Sequence, residues 1–294
     1  MNKIIGNGVE YTILKKIGKG AFGEVYSAVT PDGREIALKI SLLTEKSRLS
    51  LTDEITILKH IKCSHPNATC YIDSFTNSDN IFIVTELING ELSKYDIVSL
   101  PLQDKLEICK QISIGCQYLN SLGILHLDIK PTNIIITKFP LRAVIIDVGL
   151  SCFIIKSEPA CDTNYSFRGS LLFVSPEMFQ KLPLTSATDI YSLGYLFIYY
   201  ITNGRTRMDY MTFNDTMKTD LMKTFKMLIT NQLLYKSLLE KIKLDLLKYT
   251  SHKITDLIIA MIQIDQTSRP TYDIIISVLN TEISISRYSL QKLD

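Results

Sequence analysis

The sequence predicts an α+β fold, with strands gathered toward the N-terminus and helices following them. Two observations carry this. Short runs rich in β-branched and aromatic residues alternate with glycine-bearing turns over residues 11–40, and another such run stands at Ile81–Thr85. Further on, leucine and isoleucine recur at helical spacing between lysines over 221–229 and 233–247. A chain of 294 residues that is 46% hydrophobic can bury a sizeable core.

Taken in order, Tyr11–Ile17 reads as a strand, followed by Gly18-Lys19-Gly20-Ala21-Phe22-Gly23-Glu24-Val25 with G-x-G-x-x-G-x-V spacing. Such glycines also open dinucleotide-binding folds, but there a helix follows. Here Glu24–Val29 reads as a second strand, Pro31-Asp32-Gly33 as a turn and Glu35–Ile40 as a third strand. A strand-turn-strand glycine loop with Lys39 on the next strand predicts a phosphate lid, where the missing Cβ lets the backbone approach phosphate. Leu51, Ile55 and Leu58 fall on one face of a helix that ends near His65-Pro66-Asn67. Tyr195–Ile201 is the longest greasy stretch; it is far short of the ~20 residues of a membrane span and predicts a buried central helix.

Two short stretches point to chemistry. His126-Leu127-Asp128-Ile129-Lys130-Pro131-Thr132-Asn133 and Ile146-Asp147-Val148-Gly149 have the layout of a phosphoryl-transfer site. One carboxylate orients a hydroxyl nucleophile, while an amide and a second carboxylate hold magnesium against a triphosphate.

With Ile36-Ala37-Leu38-Lys39, Ser175-Pro176-Glu177, Asp189-Ile190-Tyr191-Ser192-Leu193-Gly194 and Asp265-Gln266-Thr267-Ser268-Arg269-Pro270-Thr271 at matching intervals, the chain resembles a eukaryotic-type protein kinase. The resemblance implies a bilobal α+β fold with a catalytic domain over residues 11–280. Its small β-rich N-lobe spans about 11–86, the hinge about 86–90 and the larger, mainly α-helical C-lobe 91–280, with short tails at 1–10 and 281–294. It implies ATP and Mg2+ as cofactors. Asp128 would orient the acceptor hydroxyl, Lys130 neutralise the γ-phosphate, and Lys39, paired with Glu54, grip the α- and β-phosphates. Asn133 and Asp147 would hold the metal. The nucleotide would lie against Ile17, Gly18, Lys19, Gly20, Ala21, Phe22, Gly23, Val25 and Ala37, with the hinge formed by Glu86, Leu87 and Ile88 and Thr85 at the gatekeeper position. Arg269 is the expected partner of Glu177.

Departures from the family pattern matter as much. Leu127 replaces the arginine that usually precedes the catalytic aspartate, giving a non-RD, H-L-D loop. Leucine cannot pair with phosphate, so activity independent of activation-loop phosphorylation is expected, although Ser157, Thr163, Ser166 and Ser170 are available. Val148 stands where phenylalanine is usual, in a column assigned to Leu58, Tyr71, Val148 and His126. Ser170 keeps a hydroxyl that in the family contacts the catalytic Asp and Lys. Lys130 within D-I-K-P-x-N implies a serine/threonine kinase, though some kinases with a similar loop phosphorylate tyrosine. Glu91 could bind ribose or a basic substrate residue.

Other classes are disfavoured. The net charge of +2 makes no statement about partners. The lysines between Asp215 and Lys253 read as solvated helix faces, so no nucleic acid is expected. His60, Cys63, His65 and Cys70 lack the paired spacing of zinc modules. The six cysteines are therefore expected to be reduced, Cys109 and Cys116 facing the core, in a cytoplasmic protein with no signal peptide and no membrane contact. Protein substrates are the implied partners. Two rival readings stay open: a pseudokinase serving as a binding module, and a small-molecule kinase sharing the ATP lobe.

Overall fold

A computed structural model describes residues 3–20, 23–90, 92–154, 161, 170–211 and 220–290. Ala21 and Phe22 of the glycine loop, together with Glu91, Ser157, Thr163, Ser166 and Gly169, lie outside the described residues.

The first part is a six-stranded antiparallel sheet ordered β1-β2-β3-β4-β6-β5. Its strands are β1 (Lys3–Gly6), β2 (Val9–Gly20), β3 (Gly23–Val29), β4 (Glu35–Leu42), β5 (Tyr71–Thr76) and β6 (Asn80–Glu86). The sheet takes in residues that the sequence reading set aside as a tail: Lys3 pairs with Thr12 and Gly6 with Val9. Asn7-Gly8 closes this hairpin with φ of 48° and 79°, the left-handed pair that a two-residue turn between twisted strands requires.

Alternation along the strands gives the sheet two faces. One buries Tyr11, Ala28, Ile36, Leu38, Phe75, Phe82 and Val84, with Phe75 stacked between Tyr11 at 5.4 Å and Phe82 at 4.6 Å. Register puts the predicted nucleotide residues on the other face, since Val25 pairs with Lys39, Lys39 with Ile83 and Ala37 with Thr85. Helix α1 (Glu45–Ile61) carries Leu51, Ile57, Leu58 and Ile61 into the larger core, which Ile83 also enters.

The remainder is mainly helical: α2 (Lys94–Val98), α3 (Leu102–Ser121), α4 (Pro176–Gln180), α5 (Ser186–Ile201), α6 (Leu221–Thr230), α7 (Gln232–Leu246), α8 (His252–Met261) and α9 (Tyr272–Leu290). The last runs on into the predicted C-terminal tail. Helix α5 is buried without a break from Thr188 to Ile201, as expected for a helix apolar on all sides, and begins with a Thr185–Thr188 capping box. Two short ladders frame the chemistry. The loop with Asp128 runs from β7 (Ile124–Leu125) to β8 (Ile134–Lys138), and the one with Asp147 runs from β9 (Leu141–Ile145) to β10 (Cys152–Phe153). No helix among the described residues is long and apolar enough to cross a membrane.

The cysteines correct the expectation of reduced thiols. Cys63–Cys70 and Cys152–Cys161 are disulfides, their Cα atoms 4.4 and 5.0 Å apart. Chain reversals bring each pair together, which spacing alone does not disclose. Cys109 and Cys116 are free and buried in α3, where burial pushes both thiols up.

Gly194 is where α5 meets α8. A Cβ there would stand 2.6 Å from Ile262 Cγ2 and 3.0 Å from Met261 Cβ. Overpacking of this kind typically costs roughly 1–3 kcal/mol, of which the better helix propensity of alanine offsets up to about 1 kcal/mol. Gly194→Ala should therefore lower the denaturant midpoint; an equal or higher midpoint would mean that the seam has slack.

Candidate active site

On the cleft face of the sheet, Lys39 Nζ reaches both oxygens of Glu54 at 2.7 Å. Glu54 is 5% exposed. Burial pushes its carboxyl up, Lys39 pulls it down, and nearby Asp147 adds a smaller upward push. Gly149 lies where the two acids converge: a Cβ on it would be 3.2 Å from Asp147 Oδ1 and 3.5 Å from Glu54 Oε2. The Gly149 N–H donates to Asp147 Oδ1 at 3.3 Å.

The loop between β7 and β8 gathers the other predicted groups on one carboxylate. Lys130 Nζ lies 2.6 Å from Asp128 Oδ2, and Asn133 Nδ2 donates to the same oxygen at 2.8 Å and to the Asp128 carbonyl at 2.9 Å. Both contacts fall on Oδ2. The Asn133 Nδ2 group donates to Asp128, so its amide oxygen Oδ1 is the atom that could face a cation. An amide oxygen and the Asp147 carboxylate are both hard oxygen donors of the kind that suits magnesium. Among the described residues there is no cluster of three or more His, Cys, Asp or Glu side chains that could hold a metal.

The loop is held from behind. Asp189, near the start of α5, accepts the His126 N–H at 2.7 Å and the Leu127 N–H at 2.8 Å, one on each oxygen. Burial pushes the Asp189 carboxyl up, while His126 and these two N–H groups pull it down. His126 has a defined tautomer. The Asp128 N–H must donate to Nδ1 at 3.2 Å, so Nε2 carries the hydrogen that meets the Ile146 carbonyl at 3.1 Å. One imidazole thus ties the Asp128 N–H to the carbonyl of Ile146, the residue before Asp147. Leu127 and Asp147 both have positive φ, 63° and 61°, an uncommon state for residues other than glycine.

The glycine loop shows another demand for glycine. A Cβ on Gly23 would collide with the Ile40 carbonyl oxygen and the Ser41 hydroxyl of β4, so strand packing alone excludes a side chain. At Gly18 a Cβ would meet only ordinary contact with Val25 at 3.7 Å. Ile17 and Lys19 are exposed at the cleft mouth. Where the hinge is expected, the Glu86 side chain pairs with Arg142 at 3.2 Å. Ile88 is half-buried, and Asn89 ties the same stretch to Glu35 at 2.6 Å.

Below the cleft, Arg269 Nη1 and Nη2 grip Glu177 Oε1 and Oε2 at 2.6 and 2.9 Å. Its remaining N–H groups reach the Gln263, Ala187 and Ile264 carbonyls, so every donor of a fully buried guanidinium is met. Arg207, which the sequence reading passed over, lies 4.3 Å from the ring centres of Tyr195 and Phe225 and donates to the Leu171 and Val174 carbonyls. It braces the segment before Ser175 from inside the fold.

Of the three departures, Val148 is buried in the same core as Leu58, and Phe153 on β10 sets its ring edge-on to His60 at 4.8 Å, giving α1 an aromatic contact from that segment. Leu127 packs with Leu125 and Cys152. The Ser170 carbonyl accepts from Phe173 and Val174; among the described residues its hydroxyl makes no hydrogen bond to Asp128 or Lys130.

A family model described as protein kinase domain matches residues 11–281. The chain is 33% identical over 198 residues to serine/threonine-protein kinase TIO of Arabidopsis thaliana, covering 64% of this chain and 14% of that protein. It is 32% identical over 195 residues to serine/threonine-protein kinase 36 of Pongo abelii, covering 63% and 14%. Dual specificity protein kinase shkE of Dictyostelium discoideum is 30% identical over 186 residues, covering 60% and 26%. The chain thus spans only a small part of the length of these relatives.

Asp189→Asn tests the loop's support. It puts an amide N–H against a backbone N–H, leaving one unpaired, and should cost roughly 1–3 kcal/mol. Amide hydrogen exchange at His126 and Leu127 should speed up while that of β4 stays unchanged. Unaltered exchange at both would show that Asp189 is a spectator.

Proposed function

This chain belongs to the protein kinase family, and on that premise we propose that it transfers the γ-phosphate of ATP, with Mg2+, to serine or threonine hydroxyls of protein substrates. The observation that carries the reading is the convergence of Lys130 and Asn133 on Asp128 Oδ2. It leaves Oδ1 to orient the acceptor hydroxyl and take up its hydrogen as the phosphoryl group departs from ATP. Lys130, beside that carboxylate, neutralises the γ-phosphate. Lys39, aligned by Glu54, holds the α- and β-phosphates. Asn133 and Asp147 would hold magnesium, which would supply positive charge beside the phosphates. Gly18, Lys19, Gly20, Ala21, Phe22 and Gly23 would cover the phosphates, while Ile17, Val25, Ala37, Thr85, Glu86 and Ile88 enclose the base. Residues 11–280 form the catalytic unit, and the cytoplasm is its proposed location.

Lys130 favours serine or threonine, and the dual-specificity relative makes tyrosine the outcome to test against. A pseudokinase reading is disfavoured because Lys39, Glu54, Asp128, Asn133 and Asp147 are all present. The Glu177–Arg269 anchor beneath the segment before Ser175 favours a platform for protein rather than metabolite.

The decisive experiment is magnesium-dependent transfer of labelled γ-phosphate to casein, a basic protein and the chain itself, with hydrolysis to identify the phosphoamino acid. Phosphoserine or phosphothreonine is expected, with Asp128→Asn slower by roughly 100- to 10,000-fold at unchanged ATP binding. Phosphotyrosine would overturn the acceptor assignment. ATP binding without transfer would favour the pseudokinase.

A further inference from the structure

The Cys152–Cys161 disulfide spans the start of the segment that leads from Asp147 to Glu177. Cys152 is on β10, in register with Leu125 of β7, just ahead of the Asp128 loop. Its side chain is buried with Leu125 and Leu127, and Cys161, Met178 and Leu184 pack on the same cluster. The Cys161 N–H also donates to the Phe153 carbonyl at 3.1 Å. One covalent bond therefore sits among three parts of the machinery: the residue before Asp128, the strand after Asp147, and the helix that carries Glu177.

Two features argue that the bond is a control element. Leu127 offers no charge to a phosphate, so phosphate pairing at that position cannot order the segment. In the cytoplasmic location proposed above, dithiols keep thiols reduced, and disulfides found there are mostly transient or sensing. The pair is asymmetric: Cys152 is 6% exposed, whereas Cys161 is only partly covered and is the sulfur an incoming thiolate meets first.

We infer that Cys152 and Cys161 form a reversible thiol–disulfide site that holds β10 and residues 170–180 in place and raises phosphoryl transfer in its oxidised state. The effect on transfer rests on the kinase reading above; the effect on order does not. In reduction, one thiolate of a dithiol attacks Cys161 Sγ, and the Cys152–Cys161 bond breaks with its electron pair and a proton going to Cys152 Sγ. The second thiol of the reductant then displaces Cys161, which leaves as a thiol. The protein gains two thiols and the dithiol becomes a cyclic disulfide. Oxidation by a small-molecule disulfide is the same exchange in reverse.

The full chain would be equilibrated with dithiothreitol or with its oxidised cyclic form. Thiol state would be read by non-reducing peptide mapping, order by amide hydrogen exchange over residues 170–180, and kcat/KM on casein. Reduction should speed exchange over 170–180 and lower kcat/KM at least about fivefold, the lower end of ordinary coupling between a switch and a site. Cys161→Ser should give the low value in both buffers, with thermal unfolding as the check on folding. Cys63→Ser/Cys70→Ser, which removes the other disulfide, should leave the response intact. Equal exchange in the two buffers, a response that survives Cys161→Ser, or free thiols at 152 and 161 in oxidised buffer would each overturn the inference. If no phosphate is transferred in either state, exchange still decides: a difference over 170–180 upholds the ordering role and places the failure on the kinase reading.

Discussion

The rest of the site depends on one buried carboxylate. Asp189 uses both oxygens on consecutive main-chain N–H groups, those of His126 and Leu127. Consecutive N–H groups converge on one acceptor only when the chain turns sharply, and Leu127 makes that turn at φ 63°. A left-handed branched residue costs on the order of 1–3 kcal/mol and persists only where its surroundings over-determine it. Here a charge-assisted pair of bonds does so. Because α5 is buried from Thr188 onward, the loop inherits the rigidity of the helical core rather than that of the surface. Asp128 is presented to the cleft as a consequence.

The other buried charges follow the same rule with different partners. Removing two ions from water is offset only when their geometry and remaining hydrogen bonds are complete. Glu177 and Arg269 meet that condition, every donor on the guanidinium having an acceptor. Lys39 and Glu54 meet it less fully, because Asp147 adds a second negative charge to the same corner. That surplus suits a site built to take a cation, whereas the Glu177–Arg269 pair suits a permanent anchor. Arg207 is a third solution: aromatic faces and two carbonyls hold it, and among the described residues its Nε has no hydrogen-bond partner.

What could be read from the sequence was what depends on local pattern. The glycine-bearing strand pair, the strand bearing Lys39, the two aspartate loops and the buried helix show in the spacing, and the protein kinase resemblance rests on their order. Asn7-Gly8 also carries a local signal, the two-residue turn that pairs Lys3–Gly6 with the next strand. The rest was hidden because it depends on contacts distant in sequence. Nothing near Cys152 tells which cysteine it meets, and nothing near Glu86 announces Arg142. The dual grip of Asp189 exists only once α5 passes beneath the loop. Gly23 could be read as a glycine but not for its reason, since the obstacle is the Ile40 carbonyl of a neighbouring strand.

Leu127 shows how one substitution reorganises a region. An arginine there would carry its stem and guanidinium into the apolar company of Leu125, Cys152, Met178 and Leu184. Burying a charge against such side chains is costly unless it finds a partner. The apolar cluster is therefore part of the leucine's environment and not a passive remnant of a lost arginine. Where a phosphate–arginine contact would act through charge and weaken with salt, this arrangement acts through burial and through a bond between Cys152 and Cys161. Dependence on charge has been exchanged for dependence on packing and on the oxidation state of sulfur. The Asp128 carboxylate, one residue further on, is joined to both through the backbone that Asp189 holds.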